Sequence, residues 1–170
     1  MTTKEIIIPQ EWSDVTLNEF ILLSQLDIKN YKNEIDYYFS ILEIFGNDLK
    51  DIKNYINVMD VSNIISEMQF LKEPPKGEKL ESIIIDGVEY ILQKDFNKLN
   101  VGEYISIETM IEKDKLNTIS SIPVILSVIL KPKGEKFNSD IMKTRSEMFK
   151  NKLNIEQIID MGIFFSSGVK

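Results

Sequence analysis

The chain has 170 residues, of which 43% are hydrophobic and 28% charged, with a formal net charge of −7. That is enough apolar material for a buried core and too much charge for either a disordered chain or a membrane span. Cysteine and histidine are both absent, which removes disulfides, thiol catalysis, zinc–thiolate and imidazole ligation, and every triad built on histidine.

In chain order, residues 4–9 (KEIIIP) read as a short strand stopped by Pro9. Thr16 then stands at a helix N-cap with Glu19 three residues on, a capping box, and Val15 and Phe20 are spaced as a hydrophobic staple. Leu17, Phe20, Leu23 and Leu26 continue the apolar stripe. A second helix is expected over 33–45, with Ile35, Tyr38, Phe39, Ile41, Leu42 and Phe45 inward and Gly46 as its stop. A third is expected over 48–58, and a fourth over 61–72, ending before Pro74-Pro75.

The stretch 73–79 (EPPKGEK) is the best internal boundary and divides the chain into 1–73 and 80–170, two halves or one shared core. Next come two apolar runs joined by Asp86-Gly87, a type I′ hairpin signal that sets Ile85 opposite Val88 and Ile83 opposite Tyr90. Such a hairpin must lie on helices or take the 5–8 segment as a third strand. Asn100 and Glu103 repeat the capping box, with Leu99 and Tyr104 as the staple. A helix over 117–130 follows, with Pro123 in its first turn or at a kink. A basic helix over 139–152 turns Ile141, Met148 and Phe149 inward, and a last helix begins at Ile155. The fold expected is mainly α (α+β): about eight helices in two sequential helical packs, with a small antiparallel β-hairpin sheet.

The two box-and-staple starts, VTLNEFI (15–21) and LNVGEYI (99–105), raise the question of a duplicated half. Thr16 and Asn100, Ile41-Leu42 and Ile125-Leu126, and Ile44 and Val128 share one offset. A shared way of starting helices explains the echo without common ancestry and is preferred.

Little here reads as catalytic chemistry. KPKGEKF and PPKGEK lack the first glycine and the Ser/Thr of a phosphate loop and read as linker turns. Glu108 and Glu112, four apart on one helix face, could hold a divalent cation, but Lys113 and Lys115 beside them make a solvated face the simpler reading. The expectation is a protein that is not an enzyme and uses no cofactor or metal.

Charge is uneven. Residues 131–153 carry seven basic and three acidic side chains, a net +4 that leaves −11 for the remainder. Such a segment either docks an acidic partner or is a solvated helix face. Trp12 either anchors a partner or caps the core, and Phe164-Phe165 either docks or packs. The candidate partner contacts are therefore Trp12, Lys131, Lys133, Lys143, Arg145, Lys150, Phe164 and Phe165. The acidic net charge speaks against direct nucleic-acid binding. No apolar run is long enough to span a bilayer, and no signal-peptide layout is present.

Composition also points to a source. The 28 Ile, 19 Lys and 13 Asn against one Arg and no Ala match the codon supply of an AT-rich genome, as in a low-GC bacterium or its phage. In this setting an isoleucine strand runs into P-x-x-W-x-x-V-T-L-x-E-F (Pro9 to Phe20). It is followed by DG-x-x-Y (Asp86 to Tyr90), N-V-G-E-Y-I-x-I (Asn100 to Ile107), VILKPKGE, R-x-x-M-F and a terminal FF. This order resembles small virion or morphogenesis proteins of tailed phages, some of them labelled tail assembly chaperones. The resemblance is one of pattern and carries over no site residue. It implies a noncatalytic role binding phage structural proteins, or self-association, in the host cytoplasm or in the particle. Two alternatives stand beside it: an acidic inhibitor or anti-defence modulator of a host enzyme, and a carboxylate enzyme with a divalent metal.

Overall fold

Among the described residues the chain forms seven α-helices and one three-stranded antiparallel sheet, so the fold is mainly α with a small β component. The computed structural model describes residues 6–48, 50, 53–54, 56–77, 79–114 and 119–160. The expected helix over 48–58 lies partly outside them and the terminal Phe164-Phe165 wholly so.

The first helix, α1 (Leu17–Leu23), starts as its sequence dictates. Thr16 Oγ1 accepts from the Glu19 amide, and the Glu19 carboxylate accepts from the Thr16 amide. The segment before it is not a strand. Residues 6–10 are irregular, and Ile7 is held by one side chain: its N–H donates to Asn47 Oδ1 and its C=O accepts from Asn47 Nδ2, both at 2.8 Å. Asn47 thus imitates a partner strand for a single residue.

Helix α2 (Glu34–Ile44) is capped by Asn33 and closed by Gly46 at φ +85°. There the Gly46 and Asn47 amides donate to the Glu43 and Leu42 carbonyls, a Schellman ending. Tyr38, Phe39, Ile41, Leu42 and Phe45 are buried, whereas Ile35 is exposed, because it lies in the first turn beyond the reach of the core. Helix α3 (Val58–Glu67) begins three residues earlier than expected, since Asn57 and Asp60 form a capping box in which Asp replaces the usual Glu.

Strands β1 (Ser82–Ile85) and β2 (Val88–Leu92) form the anticipated hairpin, with Ile85 opposite Val88 and Ile83 opposite Tyr90. Asp86 and Gly87 both take positive φ, 50° and 79°, as a type I′ turn requires. The third strand is not the N-terminal segment but β3 (Leu130–Pro132), which leaves helix α5 (Ile122–Ile129) without a loop and pairs with β2. Pro123 sits in the first turn of α5, where its missing N–H costs nothing. Between hairpin and α5 lies α4 (Val101–Asp114). Its capping box at Asn100 and Glu103 is made, but its staple is not: Tyr104 is exposed, and its hydroxyl donates to Glu108 instead.

Helix α6 (Ser139–Lys152) packs on the inner sheet face, with Phe149 edge-on to Tyr90 at 5.4 Å. Its buried stripe is Met142, Arg145, Ser146 and Phe149, one position on from the expected Ile141 and Met148, which are half-buried. Helix α7 (Ile155–Asp160) follows.

Two hydrophobic clusters form the interior. One gathers the sheet, α5 and α6; the other gathers α2, α3, Met68 and Trp12. They are cross-tied by the outermost helices. Leu17 and Ile21 of α1 belong to the first cluster, while Val15 and Phe20 belong to the second; Ile158 of α7 belongs to the first and Ile155 to the second. The tie is an antiparallel bridge between Thr16 and Asn154: Leu17 N–H donates to Leu153 C=O at 2.8 Å, and Ile155 N–H to Val15 C=O at 2.9 Å. Asn154 and Gln157 also form a reciprocal capping box, so two helix starts face each other across the bridge. Val15, Leu17, Leu153 and Ile155 are all fully buried there, each such side chain stabilising by about 1.5–3 kcal/mol relative to exposure.

Candidate functional site

A cation at a helix end and a glycine turn shape an open concavity. The last carbonyls of α5 lack partners within the helix and find them elsewhere: Ile129 C=O accepts from Gln93 N–H at 2.7 Å, and Ser127 C=O from Arg145 Nη1 at 3.3 Å. Beyond β3 the chain turns through Lys133 and Gly134, with Glu135 N–H donating to Pro132 C=O at 3.1 Å and Gly134 at φ +77°. That left-handed position suits glycine at the third place of a type II turn.

Between this turn and the end of β2 lies an open groove of about 340 Å³, lined by Ile91, Leu92, Gln93, Lys131, Pro132, Lys133, Gly134 and Glu135. Its walls are fixed by two ion pairs. The Lys131 ammonium meets Glu103, whose carboxylate is only 3% exposed as a residue and also accepts from the Asn100 amide at 2.8 Å. Arg145 Nη2 reaches both Glu135 oxygens, at 2.5 and 2.7 Å, and its guanidinium lies over the Tyr90 ring at 5.9 Å. Both charged groups that line the groove at these points are therefore neutralised, and Lys133 is left exposed on the rim. Lys131 stands opposite Ile91 in the register, on the outer sheet face that also carries Ile84, 72% exposed.

The basic segment is thus less basic at its surface than its sequence implies. Lys131 and Arg145 are internal ties, and Lys150 and Lys152 pair with Glu147 and Asp86. Arg145 is 8% exposed and is no surface contact. Lys133, Lys136 and Lys143 are exposed and make no ion pair among the described residues. Trp12 lies away from the groove. Its ring is edge-on to Phe20 and Phe70 at 5.8 and 5.4 Å, and its Nε1–H donates to the Glu73 carbonyl, so it closes the second cluster.

No family model, curated protein or solved structure matches the chain.

Among the described residues there is no group of three or more carboxylates placed to hold a metal ion, and no helix is long and apolar enough to cross a membrane. Glu108 is engaged by the Tyr104 hydroxyl at 2.5 Å, and that hydrogen bond raises the Tyr104 pKa above the ordinary phenol value. Sequence reasoning missed the groove because it is built from β2 and β3, which are distant in the chain. The signal available in the sequence is the turn Pro132-Lys133-Gly134-Glu135, which lines one side of the groove.

Proposed function

We propose that the protein is a noncatalytic assembly factor or minor virion protein of a tailed phage, comparable to a tail assembly chaperone, that binds a structural subunit through the β2–β3 groove. The phage setting rests on the sequence resemblance. The docking mode rests on one observation: an apolar groove whose own charges are neutralised, with Lys133, which makes no ion pair among the described residues, on its rim and Lys136 close along the chain, in a protein of net charge −7. Such a groove selects an apolar segment flanked by acidic residues, since burial supplies affinity and the rim lysines supply orientation and rate. Holding that segment would keep the subunit from polymerising early.

The test is co-expression with the structural proteins encoded beside it, followed by affinity capture. Capture of one such subunit, weakened at least about tenfold in Lys133→Glu/Lys136→Glu but kept in Lys76→Glu, supports the reading. Capture of none, or equal capture by all three chains, overturns it.

A further inference from the structure

Among the described residues four α-helix starts carry a reciprocal capping box; the one at Asn57 closes with Asp60, and of the three that close with Glu or Gln only two are covered. The segments are Val15-Thr16-Leu17, Leu153-Asn154-Ile155 and Leu99-Asn100-Val101, each followed by a reciprocal box to Glu19, Gln157 and Glu103. The first two pair with each other about a local two-fold, and their flanking residues are fully buried. In the third, Val101 is 74% exposed, and Tyr104 and Ile105 on the same helix face are 55% and 54% exposed. Among the described residues no backbone hydrogen bond is made by the Val101 N–H or the Leu99 C=O, the two groups whose counterparts make the bridge in the other pair.

We propose that the Leu99-Asn100-Val101 start is covered by the same segment of a second copy of this chain. The occupant follows from the chain's own example: two such starts are complementary to each other, with donor and acceptor exchanged by a two-fold. A two-fold between identical segments satisfies the same pattern, the isologous arrangement of a symmetric dimer. Val101 N–H of each copy donates to Leu99 C=O of the other, and Val101, Tyr104 and Ile105 of both are withdrawn from water. Of the charged groups beside the start, Glu103 is held by Lys131 and Lys98 pairs with Asp95. This proposal does not depend on the groove or its partner.

The chain lacks cysteine, so a single introduced thiol reports the contact. An antiparallel pair of this type sets Cα atoms about 4.5 Å apart, within disulfide range. Asn100→Cys, on the axis, is expected to oxidise to a covalent dimer at least about tenfold faster than Ser66→Cys, an exposed position near the end of α3. The full chain is expected to gain mass with concentration in sedimentation equilibrium. Val101→Asp, which adds an acidic group to the first turn of a helix and so leaves folding intact, is expected to weaken that association at least about tenfold. A monomer at every concentration, equal oxidation of the two thiols, or association that survives Val101→Asp overturns the proposal.

Discussion

In a chain with 19 lysines and a single arginine, replacing Arg145 by lysine keeps the charge and removes the shape. The ammonium can still meet Glu135, but it cannot also donate to the Ser127 carbonyl and lie flat over Tyr90, as the guanidinium does at 3.3 and 5.9 Å. Leaving a buried helix-end carbonyl unsatisfied costs about 1 kcal/mol or more, and losing the stacked cation about 0.5–1 kcal/mol, with a similar amount for the looser ion pair. Arg145→Lys should therefore destabilise by about 2–3 kcal/mol, or roughly 5–10 °C in Tm for a chain of this size. Arg145→Met should cost more, about 3–4 kcal/mol, because it also strands Glu135. Urea unfolding followed by circular dichroism measures both. If Arg145→Lys unfolds within about 0.5 kcal/mol of the parent at unchanged m-value, the reasoning fails.

Other outcomes follow from the same structure. Ile155→Ala should cost about 2–4 kcal/mol and shift the fluorescence transition of the single tryptophan, since Ile155 and Trp12 share a cluster. Gly87→Val, at φ +79° with open space around a new Cβ, should lose about 1–2 kcal/mol from backbone strain alone, whereas Thr16→Ala should lose about 1 kcal/mol as a missing cap; urea midpoints separate these. Burial raises the pKa values of Tyr37 and Tyr38, helped by Tyr31 and Glu34 respectively. Folding then favours their neutral form, so this contribution is full below pH ~10 and is lost as pH rises through the folded values. Tyrosinate absorbance should appear at higher pH in the native chain than in concentrated urea, and coincident titrations would refute the assignment.

What the sequence made legible was local. The Asp86-Gly87 turn, the boxes at Thr16 and Asn100 and the glycine stop at Gly46 each need only a few neighbouring residues, and each formed as expected. Failures came where distant elements decide. In α6 Phe149 is buried as expected, but the inward stripe also includes Arg145 and Ser146, polar residues that an apolar count assigns to solvent, and Ile141 and Met148 lie beside it, half-buried. β3 was hidden because its first residue, Leu130, continues the apolar run of α5, and only pairing with β2 makes the segment a strand. Tyr104 is spaced to staple onto Leu99 but is 55% exposed, because its hydroxyl is drawn to Glu108 and no element faces it within the described residues. The groove shared both difficulties, since its apolar wall comes from β2 and its neutralised charges from partners on α4 and α6.

The contact between residues 15–17 and 153–155 also fixes the order of events during synthesis. Each interior contains a side chain from the opposite end of the chain, Ile155 in one and Leu17 in the other. A ribosome delivering the protein from its N-terminus cannot release a finished first half and then a finished second. Both halves mature in one step, after α7 has emerged, and until then the nascent chain displays greasy surface to the cell's folding machinery.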